Sequence, residues 1–231
     1  MNLPKLETPT YELTLPSTEK KIKFRPFLVK EHKVLLTLSE ADDAEVSRVV
    51  NDLIDVCTFK SLDVEALPYF DIEYIFLNLR AKSVGENVDV VVNCECGNKI
   101  NTFFSIEELK VEKNENHKTK IMVTSEYGIE MKYPKFQNIL EVFASNNMES
   151  MINLIVDSVK GIYNSEEYWS ASEYPQEQLK EFILSLTKDQ FDLLEEFFLT
   201  SPKIVQEIKT ECNQCGTHNI SRLEGLTNFF I

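Results

Sequence analysis

The chain has 231 residues and a formal net charge of -14, with 43% hydrophobic and 27% charged residues. This length and composition are typical of a globular chain with a sizeable core, and they exclude disorder as the main state. The acidic balance disfavours binding to nucleic acid or to an anionic membrane, because both require clustered Lys and Arg. No segment reaches the roughly 18 apolar residues of a membrane span, and the first residues lack the apolar stretch of a signal peptide. We therefore expect a protein of the reducing cytoplasm.

The N-terminal part of the chain predicts a β-hairpin followed by three helices. Alternating apolar residues predict the hairpin strands over 11–15 and 21–24. Apolar residues at helical spacing predict helices over 30–38, 42–57 and 69–83. Cys57 falls on the apolar face of the second helix, and we interpret it as a core residue.

The remaining elements alternate between short strands and helices. Strands are predicted over 87–93, 99–104, 121–123, 129–133, 203–210 and 218–221. The polar residues 107–120 predict a solvated loop, and residues 163–174 predict a loop with short strands. Helices are predicted in two stretches after Pro134, over 176–185, and over 188–200, where Thr187 is the expected N-cap. A short apolar helix is predicted from Leu223 to Ile231.

Two cysteine pairs occupy the same kind of local sequence. Cys94 and Cys96 lie between two predicted strands and precede Gly97, and Cys212 and Cys215 lie between two others and precede Gly216. A strand, a tight turn with two cysteines and a glycine, and a second strand are typical of a zinc knuckle. Disulfides are rare in a reducing compartment, so four such cysteines favour one structural zinc ion per chain.

The residues leave alternatives to this metal site open. The first pair is C-x-C, which is shorter than the usual C-x-x-C. The pairs could therefore be reduced cysteines in knuckles that hold no metal, or they could form a disulfide or a redox pair. His218, three residues after Cys215, could replace a cysteine as a ligand.

These elements predict the α+β class within a single domain over 1–231. An N-terminal hairpin and helices come first. A discontinuous, four-stranded zinc-ribbon-like element is predicted over 87–104 and 203–222, and a mainly helical insertion over 135–200 separates its two knuckles. Zinc held by four cysteines has no open coordination position, and no catalytic set accompanies it, so the sequence favours a protein that is not an enzyme.

Four segments of the chain carry a family resemblance: FRPFLVKE at 24–31, DLID at 52–55, YIFLNLRAKSVG at 74–85 and VVVNCECG at 90–97. By these segments the chain resembles the T4-type bacteriophage baseplate protein family, the hub subunit or hub-assembly protein of contractile-tailed phages. A second cysteine pair and a short terminal helix follow late in the chain. The resemblance carries over no catalytic residue.

The resemblance implies a structural or assembly role in the tail baseplate, with other baseplate or hub proteins as partners. From the acidic charge and the lack of a catalytic set, we expect no nucleic-acid, membrane or small-molecule partner. The protein would be present in the host cytoplasm during assembly and could remain in the virion. The sequence leaves open whether it is a virion component or a transient assembly factor. A zinc-ribbon protein that binds nucleic acid or acts in transcription is the alternative. Such proteins place basic and aromatic residues beside their knuckles, and Lys99 and Arg222 are thin support for that role here.

Overall fold

The computed structural model describes residues 6–38, 41–145 and 147–224. Within these residues the chain is mixed α+β, with seven α-helices and several small antiparallel sheets, which confirms the predicted class. The chain divides into two compact units. Residues Met1–Glu112 and Lys203–Ile231 form the first unit, and Lys113–Pro202 form the second. The second unit is therefore an insertion, and it begins and ends outside the predicted range of 135–200. That there is a single folding domain stays a prediction.

Within its described residues, the first unit contains three α-helices and three antiparallel β-elements. Its helices are α1 (Val29–Leu35), α2 (Asp43–Cys57) and α3 (Tyr69–Ser83). Its strands are β1 (Tyr11–Thr14), β2 (Lys21–Phe24), β3 (Asn87–Asn93), β4 (Lys99–Ser105), β5 (Lys110–Glu112), β10 (Lys203–Glu211) and β11 (His218–Glu224). Strands β1 and β2 form one hairpin, β3 and β4 form another, and β10 lies between β11 and β5.

Helix α3 lies at the centre of this unit. Apolar residues are buried on every side of it, as expected for a helix whose apolar residues are not confined to one stripe. The Asp71 side chain on α3 is buried and accepts hydrogen bonds from the backbone N–H and the hydroxyl of Ser17 in the β1–β2 turn. A buried carboxylate is costly unless it is hydrogen-bonded, so these bonds fix the N-terminal hairpin against α3.

Within its described residues, the second unit combines four α-helices with one four-stranded antiparallel sheet. Its strands are β6 (Lys120–Met122), β7 (Gly128–Met131), β8 (Val159–Tyr163) and β9 (Tyr168–Ser170), paired in that order. Its helices are α4 (Phe136–Ser145), α5 (Met148–Ser158), α6 (Gln176–Leu184) and α7 (Lys188–Thr200). Its core includes Ile129 from the sheet and Ile155, Leu194 and Phe197 from the helices. Thr187 caps α7, as predicted, in a capping box with Gln190.

Three local predictions differ from the structure. Strand β5 lies in the stretch predicted as a solvated loop, and Val159, predicted to extend a helical stripe, begins β8. The predicted C-terminal helix starts at Leu223, which the structure places in β11, and residues 225–231 lie outside the described part of the chain. The two cysteine hairpins belong to separate sheets, one of two strands and one of three, and the zinc-ribbon topology stays a prediction.

Candidate metal centre

The β3–β4 and β10–β11 hairpins each end in a turn that carries one cysteine pair. In the first turn, Cys94 N–H donates to the Asn98 carbonyl at 2.9 Å, and Gly97 N–H donates to the Cys94 carbonyl at 2.9 Å. Gly97 has a φ of 86°, in the left-handed region that glycine enters without steric cost. These two bonds close the turn between β3 and β4.

The second turn repeats this pattern with one more residue. Cys212 N–H donates to the Thr217 carbonyl at 2.9 Å, and Gly216 N–H donates to the Cys212 carbonyl at 2.8 Å. Gly216 has a φ of 73°. The closing bond spans Cys94 to Asn98 in the first turn and Cys212 to Thr217 in the second. The first turn is therefore one residue shorter than the second, and this accounts for its C-x-C spacing. Both turns keep the glycine and the two closing hydrogen bonds.

The four sulfur atoms come together although the pairs are far apart in sequence. Cys94 Sγ lies 3.6 Å from Cys215 Sγ, and Cys96 Sγ lies 3.7 Å from Cys212 Sγ, across a separation of 116 positions. All four sulfurs lie within 4.8 Å of one another. A metal ion with four sulfur ligands at about 2.3 Å in a tetrahedron requires sulfur–sulfur distances of about 3.8 Å. The cluster therefore has the size and the ligand chemistry to bind one metal ion.

Hydrogen bonds and neighbouring thiols shift the pKa values of Cys212 and Cys96 in opposite directions. The Asn98 side chain and the backbone N–H groups of Cys215 and Gln214 lower the pKa of Cys212 to about 6. The backbone N–H of Asn98 also lowers the pKa of Cys96, but the neighbouring thiol groups outweigh it and raise that pKa to about 12. Without a cation, the cluster therefore shares its protons unevenly, and a divalent metal ion would take the place of the shared protons.

The cluster is half exposed. Cys94 and Cys212 are buried, whereas Cys96 and Cys215 are exposed. His218, the alternative ligand, is exposed at the start of β11 and is not a member of the cluster. Cys57 is fully buried at the end of α2, away from the cluster, and burial raises its pKa to about 11. The structure therefore places Cys57 in the core of the first unit.

Two polar residues beside the cluster escaped the sequence analysis. Asn98 Nδ2 lies 3.4 Å from Cys212 Sγ, and Thr217 Oγ1 lies 3.2 Å from Cys215 Sγ. Each residue directly follows the glycine of its turn, so the two occupy equivalent positions. That shared position next to a Cys-Gly pair is the signal by which the sequence could have identified them.

Comparison with known proteins places the chain in one family. The family model described as T4 bacteriophage base plate protein matches residues 8–231, which is nearly the whole chain. No curated protein and no solved structure matches. Within the described residues, no helix is long and apolar enough to cross a membrane. Membership of this family suggests a structural, non-enzymatic protein that associates with the virion tail and interacts with other phage structural proteins. The chain belongs to the T4 bacteriophage base plate protein family.

Proposed function

We propose that this chain is a structural or assembly protein of the hub in a contractile phage tail baseplate. It acts through protein–protein contacts, and one zinc ion bound by Cys94, Cys96, Cys212 and Cys215 stabilises its first unit. The family match supports the baseplate role. The cluster of four sulfurs within 4.8 Å supports the metal site.

The zinc ion in this proposal is structural. Four cysteine ligands fill a tetrahedral shell, so no coordination position is left for a water molecule or a substrate. The ion would join the β3–β4 hairpin to the β10–β11 hairpin, which belong to different sheets. Since the ligands converge only in the folded chain, the free energy of metal binding contributes directly to folding. The protein would accordingly have no catalytic activity.

The proposed partners are other baseplate or hub proteins. A net charge of -14 opposes binding to nucleic acid and to anionic membranes, because no cluster of cations is available to release counterions. We propose no small-molecule substrate. The protein would be present in the host cytoplasm during assembly and could then remain in the tail baseplate.

Elemental analysis and native mass spectrometry of the freshly reduced protein test the metal. We expect one zinc ion per chain in the wild type, a loss of that ion in Cys212→Ser, and full occupancy in the matched control Cys57→Ala. Iron also accepts four thiolates, and the visible colour of an iron–thiolate site would distinguish it from colourless zinc. A wild-type chain that stays folded without metal, even after reconstitution, would contradict the proposed site.

Affinity purification of the tagged chain from infected cells tests the baseplate role. We expect other baseplate proteins among the co-purifying chains. Recovery of the protein from purified virions would assign it to the finished tail, whereas recovery only from lysates would assign it to assembly. Co-purification of polymerase subunits or nucleic acid in place of tail proteins would contradict the proposal.

A further inference from the structure

Asn98 links the two cysteine turns through its side chain. It is half-buried in the first turn, directly after Gly97. Its amide nitrogen lies 3.4 Å from Cys212 Sγ and 2.8 Å from Asn213 Oδ1, both of which belong to the second turn. One amide group therefore donates two hydrogen bonds across the boundary between the hairpins.

The acceptors determine how this amide is oriented. A thiolate sulfur and a side-chain carbonyl oxygen both accept hydrogen bonds, and only the NH₂ end of the Asn98 amide carries donors. The NH₂ end must therefore face both Cys212 and Asn213. The Asn98 carbonyl oxygen in the same position would place two acceptors against each other and would repel a thiolate.

The residues that follow the two turn glycines contact different cysteines. Asn98 of the first turn sends its side chain to Cys212 of the second turn. At the equivalent position of the second turn, Thr217 contacts Cys215, a cysteine of its own turn. Of the two residues Asn98 and Thr217, Asn98 is therefore the one whose side chain contacts the opposite hairpin.

We propose that Asn98 is a positioning residue of the metal centre, which orients the Cys212 sulfur and holds the two turns in register before the metal binds. This inference rests on the proposed metal site. Groups that hydrogen-bond to metal ligands orient those ligands and tune their charge, and their loss reduces metal affinity about 10–100-fold. The hydrogen bond from Asn98 to Asn213 needs no metal, so it can keep the sulfurs close together in the metal-free protein.

The test compares four full-length proteins: wild type, Asn98→Ala, Asn98→Asp and the control Asn101→Ala. Asn101 is an exposed residue of β4 in the same hairpin. Zinc affinity is measured by competition with a chelator of known affinity, and circular dichroism checks the fold of each variant. We expect Asn98→Ala to bind zinc about 10–100-fold more weakly and Asn101→Ala to match the wild type within about twofold. Asn98→Asp should be weaker still, because its carboxylate faces a thiolate.

Cobalt(II) spectroscopy separates positioning from a general loss of structure. A hydrogen bond to a thiolate stabilises the sulfur electrons, so its removal should move the sulfur-to-cobalt charge-transfer band of Asn98→Ala to lower energy. General damage to the fold would reduce the intensity of this band without that shift. The exposed Asn213→Ala variant keeps the Asn98 amide but removes its second acceptor, and it should weaken zinc binding severalfold.

The outcomes distinguish this inference from the proposed metal site. In one outcome, the wild type binds metal while Asn98→Ala and Asn213→Ala show the same zinc affinity and the same cobalt spectrum as the wild type. That result would overturn the role of Asn98 and leave the metal site intact. A wild-type protein that binds neither zinc nor cobalt would overturn both. Weaker binding with the band shift, in variants that keep the wild-type fold, is the result we expect.

Discussion

Replacing Cys212 with Ser should destabilise the chain far more than replacing Cys57 with Ala. Both sulfurs are buried, so exposure alone does not predict a difference between them. Cys212→Ser removes one of four proposed ligands together with the sulfur that accepts from Asn98. Cys57→Ala removes a single atom from the apolar end of α2 and leaves the cluster unchanged.

The expected difference in stability between the two variants follows from the length of the loop that the metal ion would close. Cys96 and Cys212 are 116 positions apart. In the chain-entropy treatment of a covalent crosslink, closing a loop of about 100 residues contributes about 4.7 kcal/mol. We therefore expect Cys212→Ser to cost about 3–5 kcal/mol, a large part of the 5–15 kcal/mol stability of a typical domain. A small core truncation such as Cys57→Ala should cost about 1 kcal/mol.

Thermal melts of the reduced proteins, with and without a strong chelator, test this ordering. A loss of 1 kcal/mol lowers the melting temperature by about 2–4 °C in a chain of this size, so Cys212→Ser should melt about 6–20 °C lower. The chelator should lower the melting temperatures of the wild type and of Cys57→Ala by a similar amount. It should leave the melting temperature of Cys212→Ser almost unchanged. The reasoning is refuted if Cys57→Ala proves the more damaging variant or if the chelator has no effect on the wild type.

Three further predictions concern capping, pH and nucleic acid. Thr187→Ala removes the N-cap paired with Gln190 and should cost about 1 kcal/mol in urea unfolding, while Thr187→Ser, which keeps the hydroxyl, should not. Burial raises the pKa of Glu31, but hydrogen bonds from Arg25 and the Leu28 N–H outweigh it and hold that pKa below the usual value of a glutamate. The resulting stabilisation is present above the unfolded pKa and is lost as pH falls through the folded pKa, so Glu31→Gln should flatten the acid limb of a stability-versus-pH curve. At physiological salt, a fluorescence titration should detect no binding to duplex DNA; micromolar binding with a steep salt dependence would favour a nucleic-acid function.

The sequence predicted the elements whose own residues determine their structure. Helix α3 and strand β3 have the predicted bounds, because an apolar pattern of sufficient length fixes each of them. Strand β5 was missed because its three residues are mostly charged, and it is a strand only because it pairs with β10. Pairing between residues so far apart leaves no signal in a short window of sequence.

The cysteine cluster was predictable to a similar degree. The two Cys-Gly turns identify the four cysteines, and the structure brings all four sulfurs together. The contact between Asn98 and Cys212 could not be predicted, because it depends on how two hairpins from distant parts of the chain face each other. An asparagine after a glycine is also common in ordinary turns, so its presence alone does not indicate a role at a metal site.

The pairing of β5 with β10 predicts that the first unit folds without the second. Glu112, at the end of β5, is the register partner of Lys203, at the start of β10. Directly opposed residues of antiparallel strands are about 5 Å apart, so a two-residue Asn-Gly turn can join Glu112 to Lys203 as a β-hairpin.

Every proposed metal ligand and Asn98 remain in this shortened chain. We expect it to unfold cooperatively and to bind zinc within about tenfold of the full-length affinity, since the hydrogen bonds around the sulfurs are unchanged. The control carries the same deletion together with Cys212→Ser and should not bind zinc. A shortened chain that is unfolded, with or without zinc, would show instead that both units form one folding domain, as the sequence alone predicts.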